Sequence, residues 1–474
     1  MPLPYNGVSK RSDKRKFAFP LVSIRNMVYN SRYDTYPGGL CMAYEFDEMN
    51  TQKPENWHRR QARKRAAMRR RLSFLAIAAI SILVLGVVIF RSCRPVEPPT
   101  VSVPPTTVPP PPTTTTAPAP TQPLEPETVI TLIAGGDINI TDKSVASGQS
   151  AGGYNYSQNF MDIAGLFAGA DAAIVNLEGN LVGSPYGGAH VSAPQQMMQA
   201  LANAGVDFIQ TANSYAIANG ITGLRSTIDG IRQAGMRPLG TFTDQEEYNA
   251  NQGFTLVNIG GIRVALVAFT KGMNGLGLPE GNQNCVNLLY TDYASTYQTI
   301  DTQGIKTVLQ AIEAQKPDIT IALLHWGSEY NSIVSTRQEK IASLMIENGV
   351  DAIIGTHSHY VQQVVYDREN SNVIAYSLGD LYGDADKNGT NYSILLELEI
   401  TRDNYTGQTR ITACDYIPVY TLTPERDGES MRVVRILEHI AMYENNHVNK
   451  VSETAYQNMK SALEKIRSKT GLYE

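Results

Sequence analysis

AIIGTHSH, residues 352–359, opens with the apolar residues of a buried strand and ends on two histidines one residue apart. The same layout recurs at LIAGGDINI (132–140), AAIVNLEG (172–179), FIQTANS (208–214) and IALLHWGSE (321–329). Asp137, Glu178, Asn213, His325 and Glu329 therefore join His357 and His359 where short apolar runs end. Runs of about five apolar residues read as strands buried on both faces. In α/β folds ligands sit beyond the carboxyl ends of such strands, so residues far apart in the chain converge there. Imidazoles, carboxylates and one amide suit a borderline divalent metal better than they suit a core. A dinuclear-type metal site is the leading expectation.

Working outward, further strand-like runs appear at IRVALVAFT, NVIAYSLGD and SILLELEI. Helical patterns lie between several strands: PQQMMQALANAG, GLRSTIDGIRQAG, IKTVLQAIEAQKP and TRQEKIASLMIENG. Alternating strands and helices indicate an α/β domain with covered sheets over residues 128–474. The last ~45 residues read as two amphipathic helices.

The N-terminal part has a different character. Residues 72–90, LSFLAIAAISILVLGVVIF, carry no charge; as a helix they would span about 28 Å, close to a bilayer's hydrocarbon core. The basic run RRQARKRAAMRRR (59–71) precedes them, and only Arg91 and Arg94 follow closely. That imbalance predicts a single-pass protein of the cell membrane, with residues 1–71 a largely disordered cytoplasmic tail and the C-terminal domain extracellular. Residues 91–127 are a Pro/Thr-rich spacer; an extended polyproline tract of this length reaches up to about 100 Å from the bilayer. The formal net charge of −5 hides this polarity. Without its basic head the exported part is acidic, which argues against nucleic acid as a partner and leaves membrane lipid as the partner of the span. The four cysteines include no CxxC pair. Cys285 and Cys414 are compatible with either an extracellular disulfide or two free thiols.

Each strand-end residue also has a plainer reading. His325 alone would more often be hydrogen-bonded structure than ligand. Glu329 would orient an imidazole, bind metal or cap the following helix. Glu178 would serve as a salt bridge or cap, and Asn213 as a turn-former. Gly135-Gly136 before Asp137 would let the chain turn, and Gly355 would lend flexibility before His357 and His359. No Lys-Ser/Thr follows the glycines, so they are not a P-loop. The chain has no G-x-S-x-G and so no nucleophile elbow. A glycosidase pair at Asp137 and Glu178 would leave the histidines unexplained.

The order GGD (135–137), NLEG (176–179), LANAGVDFIQTAN (201–213), GLRSTIDGIRQAG (223–235), HWGSEY (325–330), GTHSHYVQ (355–362) and AYSLGD (375–380) resembles the CapA family. These are capsule and poly-γ-glutamate synthesis proteins related to calcineurin-like metallophosphatases, and the resemblance covers roughly residues 129–400. It implies a two-sheet sandwich flanked by helices (α-β-β-α), preceded by one transmembrane helix. It also implies metals at the sheet ends on Asp137, Glu178, Asn213, His325, His357 and His359, with Mn, Zn or Fe as plausible ions. The implied partners are an anionic surface polymer or its synthase complex. One departure matters. The family's asparagine motif continues Asn-Asn-His with an Asp three residues later, whereas this chain has Ser214, Tyr215 and Ala218. Tyr215 is then the candidate acid, and loss of a general acid typically lowers rate 10²–10⁴-fold. The expectation is a metal-dependent hydrolase or a catalytically impaired scaffold. Asp380 stands where the family more often has asparagine and would add charge near the site.

Overall fold

An aspartate stands immediately before four of the apolar runs: Asp171, Asp207, Asp318 and Asp351. In the computed structural model, which describes residues 125–383 and 387–472, each one clamps the strand next door. The carboxylates accept from the backbone N–H of Thr131, Ala173, Arg263 and Thr320 at 2.7–3.0 Å. Their own N–H groups donate to the carbonyls of those same four residues. This double bond sets the register where each parallel pair begins.

The chain runs β1 (Glu127–Asn139), α1 (Asp142–Ala146), β2 (Gln149–Ser150), β3 (Gly153–Tyr154), α2 (Ser157–Gly169), β4 (Ala172–Glu178), α3 (Gln195–Ala204), β5 (Phe208–Gln210), α4 (Gly220–Gln233) and β6 (Arg237–Leu239). It continues through α5 (Gln245–Asn251), β7 (Thr255–Ile259), β8 (Ile262–Thr270), α6 (Thr302–Ala314), β9 (Ile319–His325), α7 (Thr336–Ile346) and β10 (Ala352–Thr356). Then come β11 (Val364–Asp367), β12 (Asn372–Ala375), β13 (Asp380–Tyr382), β14 (Tyr392–Asp403), β15 (Thr409–Leu422), α8 (Pro424–Asp427), β16 (Arg432–Arg435), α9 (Ile436–Glu444) and α10 (Glu453–Thr470).

One sheet has the order β16-β15-β14-β1-β4-β5-β6, with β13 also pairing β1; the other runs β11-β12-β10-β9-β8-β7. Period-two alternation divides the side chains into layers. Leu132, Ala134 and Ile174 of the first sheet share a core with Val264, Leu266, Ile321 and Leu323 of the second. The intervening Ile133, Ala173 and Val175 pack outward on Phe160, Ile163 and Phe167 of α2 and Met197 and Leu201 of α3. Val267, Phe269 and Leu324 pack outward on Ile305 and Leu309 of α6 and Ile341 and Met345 of α7. The layering is α-β-β-α, as expected.

Two local expectations are corrected. The C-terminal stretch opens on a strand, because Arg432–Arg435 alternates and pairs with β15, and two helices follow. Gly135-Gly136 makes no strand-ending turn: β1 continues to Asn139, with a register shift against β4 between Ala134 and Asp137. Such a shift re-aims the residues that follow it. Of the two alternatives open for Cys285 and Cys414, they are free thiols. The proposed span at 72–90, its basic flank, the tail before it and residues 91–124 of the spacer lie outside the described residues. Among the described residues, no helix is long and apolar enough to cross a membrane.

Candidate metal centre

Both sheets direct their parallel strands so that β1, β4, β9 and β10 end together. Glu178 and His325 are the last residues of β4 and β9, and Asp137 lies near the end of β1. His357 and His359 follow β10, and Asp380 begins β13, in register with Asp137 across a parallel pair. All are buried, from 0 % exposure at Asp137 and His325 to 6 % at His359.

Close backbone approach makes the gathering possible. A Cβ at Gly136 would lie 1.8 Å from the Gly379 carbonyl oxygen, and one at Gly355 would lie 2.0 Å from that of Tyr376. Gly355 is therefore required for proximity rather than for flexibility. The left-handed turn falls on the histidines themselves, with φ of +88° at His357 and +58° at His359. A non-glycine backbone in that region is uncommon and persists where the surroundings hold it. Here the His357 N–H is held by Asp137 Oδ2 at 3.1 Å.

The buried groups form two triads whose donor atoms lie within 4.8 Å of one another: Glu178, His325 and His357 in one, Asp137, His359 and Asp380 in the other. His325 Nδ1 contacts Thr356 Oγ1 at 3.1 Å, and its Nε2 lies 3.3 Å from Glu178 Oε1 and 3.0 Å from Ser214 Oγ. Asp380 Oδ1 contacts His359 Nδ1 at 2.8 Å. Asn176 donates to Asp137 Oδ1 at 2.6 Å. Partners of this kind fix ring orientation and carboxylate direction around a metal.

The electrostatics pull in opposite directions. Burial pushes Asp137 up to about 7 and raises Glu178 and Asp380 above the usual carboxylate range. Burial, and then the neighbouring cationic groups, lower His325 and His357 well below the ordinary imidazole value. Burial would lower His359 too, but Asp380, Glu178 and Asp137 outweigh it and push it up to about 11. Two carboxylate oxygens, Glu178 Oε1 and Asp380 Oδ2, are buried without a hydrogen-bond partner among the described residues. Buried polar atoms are normally satisfied, and an unpartnered carboxylate oxygen is expensive. Divalent cations satisfy such oxygens, bind the neutral imidazoles of His325 and His357, and would displace the proton the carboxylates hold on His359, so the donor set fits a metal pair.

Asn213 lies beside the triads with its amide orientation fixed. Its Nδ2 donates to Leu177 O (2.6 Å) and Asn176 Oδ1 (3.0 Å), while its Oδ1 accepts from the Tyr215 N–H at 3.0 Å. It is both turn-former and neighbour, with one lone pair of Oδ1 left over. Tyr215 is half-buried; burial, then the charges of Glu178 and Glu329, push its hydroxyl up to about 12. Glu329 does not cap the next helix, because Ser335 does so in a capping box with Gln338. Instead Glu329 is exposed beside the triads, lining a cavity of about 260 Å³ with Ser214, Lys271, Asn274, Tyr297 and His357.

Three contributors escape the sequence reading as site residues, Asn176, Ser214 and Lys271, while Asp380, expected only to add charge near the site, stands inside a triad. Lys271 carries the very signal used for the others, a polar residue directly after the apolar run IRVALVAFT. Asp380 sits in a strand of three residues, too short to stand out by pattern.

A family model described as Bacterial capsule synthesis protein PGA_cap matches residues 131–385. The capsule biosynthesis protein CapA of Bacillus anthracis is 27% identical over 219 residues, 46% of this chain and 49% of that protein. The PGA biosynthesis protein CapA of Bacillus subtilis is 26% identical over 237 residues, 50% of this chain and 57% of that protein. The match thus spans about half the length of these curated relatives. A calcineurin-like phosphoesterase structure from Bacillus subtilis covers 72% of this chain and 100% of its own at 13% identity, with a TM-score of 0.38.

Proposed function

The chain belongs to the bacterial capsule synthesis protein family PGA_cap, and from that premise we propose a membrane-anchored, exported protein whose metal centre serves the synthesis, attachment or export of a poly-γ-glutamate type surface polymer. The observation that carries the metal part is the pair of buried triads, in which one carboxylate oxygen of Glu178 and one of Asp380 make no hydrogen bond. Glu178, His325 and His357 would hold one divalent ion, and Asp137, His359 and Asp380 the other, with Asn213 beside them. Bound divalent ions supply activation of a water or hydroxyl nucleophile and polarisation of a phosphoryl or acyl oxygen. The chain's own groups orient the ligands: Thr356 at His325, Asn176 at Asp137, and the Asp137 carboxylate at the His357 backbone. The apolar run at 72–90 and its basic flank support the anchor and its orientation. Anionic polymer or its synthase complex would be the partner.

A second reading, a catalytically impaired scaffold of the same fold assisting a membrane synthase, is favoured by one observation. The phenol of Tyr215, pushed up to about 12, is a poor proton donor at neutral pH.

Complementation tests the proposal. In a strain deleted for this gene, the wild-type chain should restore surface polymer and His357→Ala should not. Protease added to those intact cells should remove the C-terminal domain while sparing an N-terminal tag. Full restoration by His357→Ala would contradict a metal-dependent role, and a protease-resistant domain would contradict export.

A further inference from the structure

Beside the Glu178–His325–His357 triad, the 260 Å³ cavity holds one lysine and one carboxylate on its lining, Lys271 and Glu329. At ~30 Å³ per water it has room for about nine waters, enough for one amino-acid head group. Lys271 is held rigidly. Its Nζ donates to Gly327 O at 3.0 Å, lies 3.1 Å from His357 Nε2 and sits 4.7 Å from the centre of the Tyr297 ring. That ring is itself presented by a knotted turn. Asp292 accepts from the N–H groups of Gln298 (2.7 Å) and Thr299 (2.9 Å), and Tyr297 just before them takes φ of +54°. An ammonium has three N–H donors. Two are directed at Gly327 and His357, which leaves one for the cavity.

Neither charge alone explains the lining. A site for a simple anion gains nothing from Glu329 beside three buried carboxylates, and a site for a simple cation gains nothing from Lys271. Together they complement a ligand that carries both signs within a few ångströms, and opposite charges placed this way govern specificity. The Ser214 and Ser328 hydroxyls and the Asn274 amide add neutral hydrogen-bonding groups along the same wall.

We infer that this cavity is a subsite for a free α-amino-acid head group, with Lys271 taking its carboxylate and Glu329 its ammonium. The inference rests on the surface-polymer reading above and deepens it. In a γ-linked glutamate chain only the amino end carries an ammonium and a carboxylate on one carbon, so the protein engages that end rather than the chain's interior. Lys271 and Glu329 are then specificity-determining residues, with the reacting bond placed toward His357.

Calorimetric titration of the purified full-length chain tests this, with γ-L-glutamyl-L-glutamate and its N-acetyl derivative as probes. The wild type should bind the free amine at least ~10-fold more tightly, the discrimination expected from one well-placed ion pair. Glu329→Gln should reduce that preference to within about two-fold. Lys271→Met should weaken both probes, and Lys271→Arg should recover most of the loss; thermal melts of all three variants confirm folding. Equal binding of the two probes by the wild type, or no binding of either at 10 mM (about 10,000-fold above micromolar affinity), would overturn the inference. So would displacement of the dipeptide by an equal concentration of inorganic phosphate, which marks a plain anion site. Metal content measured on the same samples separates the two readings. Discrimination without metal sinks the metal centre alone, and metal without discrimination sinks the head-group subsite alone.

Discussion

At the scale of single residues, His357 and His359 show how strongly this centre is over-determined. Each holds a left-handed backbone that typically costs on the order of 1–3 kcal/mol, and each is tied to a carboxylate, His357 through its N–H and His359 through its ring. Metal-holding positions are thus supported by the fold itself. The proton-donating position is not supported in the same way. Tyr215 occupies it with a hydroxyl pushed up to about 12, and burial is the leading cause. Exchanging Tyr215→His together with Ala218→Asp supplies an imidazole and an orienting carboxylate. In the metal-loaded protein this pair should raise phosphodiesterase turnover of a chromogenic substrate by ~10²-fold or more, the scale of a general acid's contribution. An unchanged rate would favour the scaffold reading, or a chemistry that needs no acid there.

At the scale of elements, the aspartate clamps make a prediction about stability. Asp351 accepts from Thr320 N–H at 2.7 Å, yet burial pushes its carboxyl up to about 6. A carboxyl raised above its unfolded value binds its proton more tightly in the folded chain. Its stabilising contribution is complete below about pH 4 and is lost as pH rises through 6. Asp351→Asn keeps an acceptor for Thr320 and cannot ionise. The variant should therefore be more stable than wild type at pH 7.5, by up to about 3 kcal/mol, with the gap closing near pH 4. Urea melts at the two pH values measure this. A variant less stable at pH 7.5 would show that the ionised carboxylate is needed for the clamp. These clamps were open to sequence reading, because the pattern of Asp before an apolar run repeats four times. Other elements were harder to see. β15 carries Pro418 in mid-strand, a residue that normally demotes a run to an edge. α2 contains Gly165 and Gly169, which obscure the stripe of Phe160, Ile163 and Phe167.

At the scale of the whole molecule, the legible part of the fold was the part buried on both faces. β1, β4, β9 and β10 are covered by helices on one side and by the opposite sheet on the other. Their sequences are accordingly continuous apolar runs whose ends stand out, and five of the six residues in the two triads were visible there. The sixth, Asp380, enters through a three-residue strand that takes its ladder pairing from β1, a relation no local pattern encodes. Lys271 stands in plain view after β8, but a strand-end lysine does not look like a metal ligand. Each sheet contributes ligands to both triads' surroundings, so the centre exists only when the sandwich is assembled.

Metal stoichiometry tests that centre most directly. Full-length chain, stripped with chelator and dialysed against manganese or zinc, should retain close to two ions per chain by elemental analysis. His357→Ala, which removes a ligand from one triad, should retain about one, and the pair His357→Ala with Asp380→Asn should retain almost none. Equal and negligible metal in all three proteins, with each folded by circular dichroism, would contradict a metal centre at these strand ends.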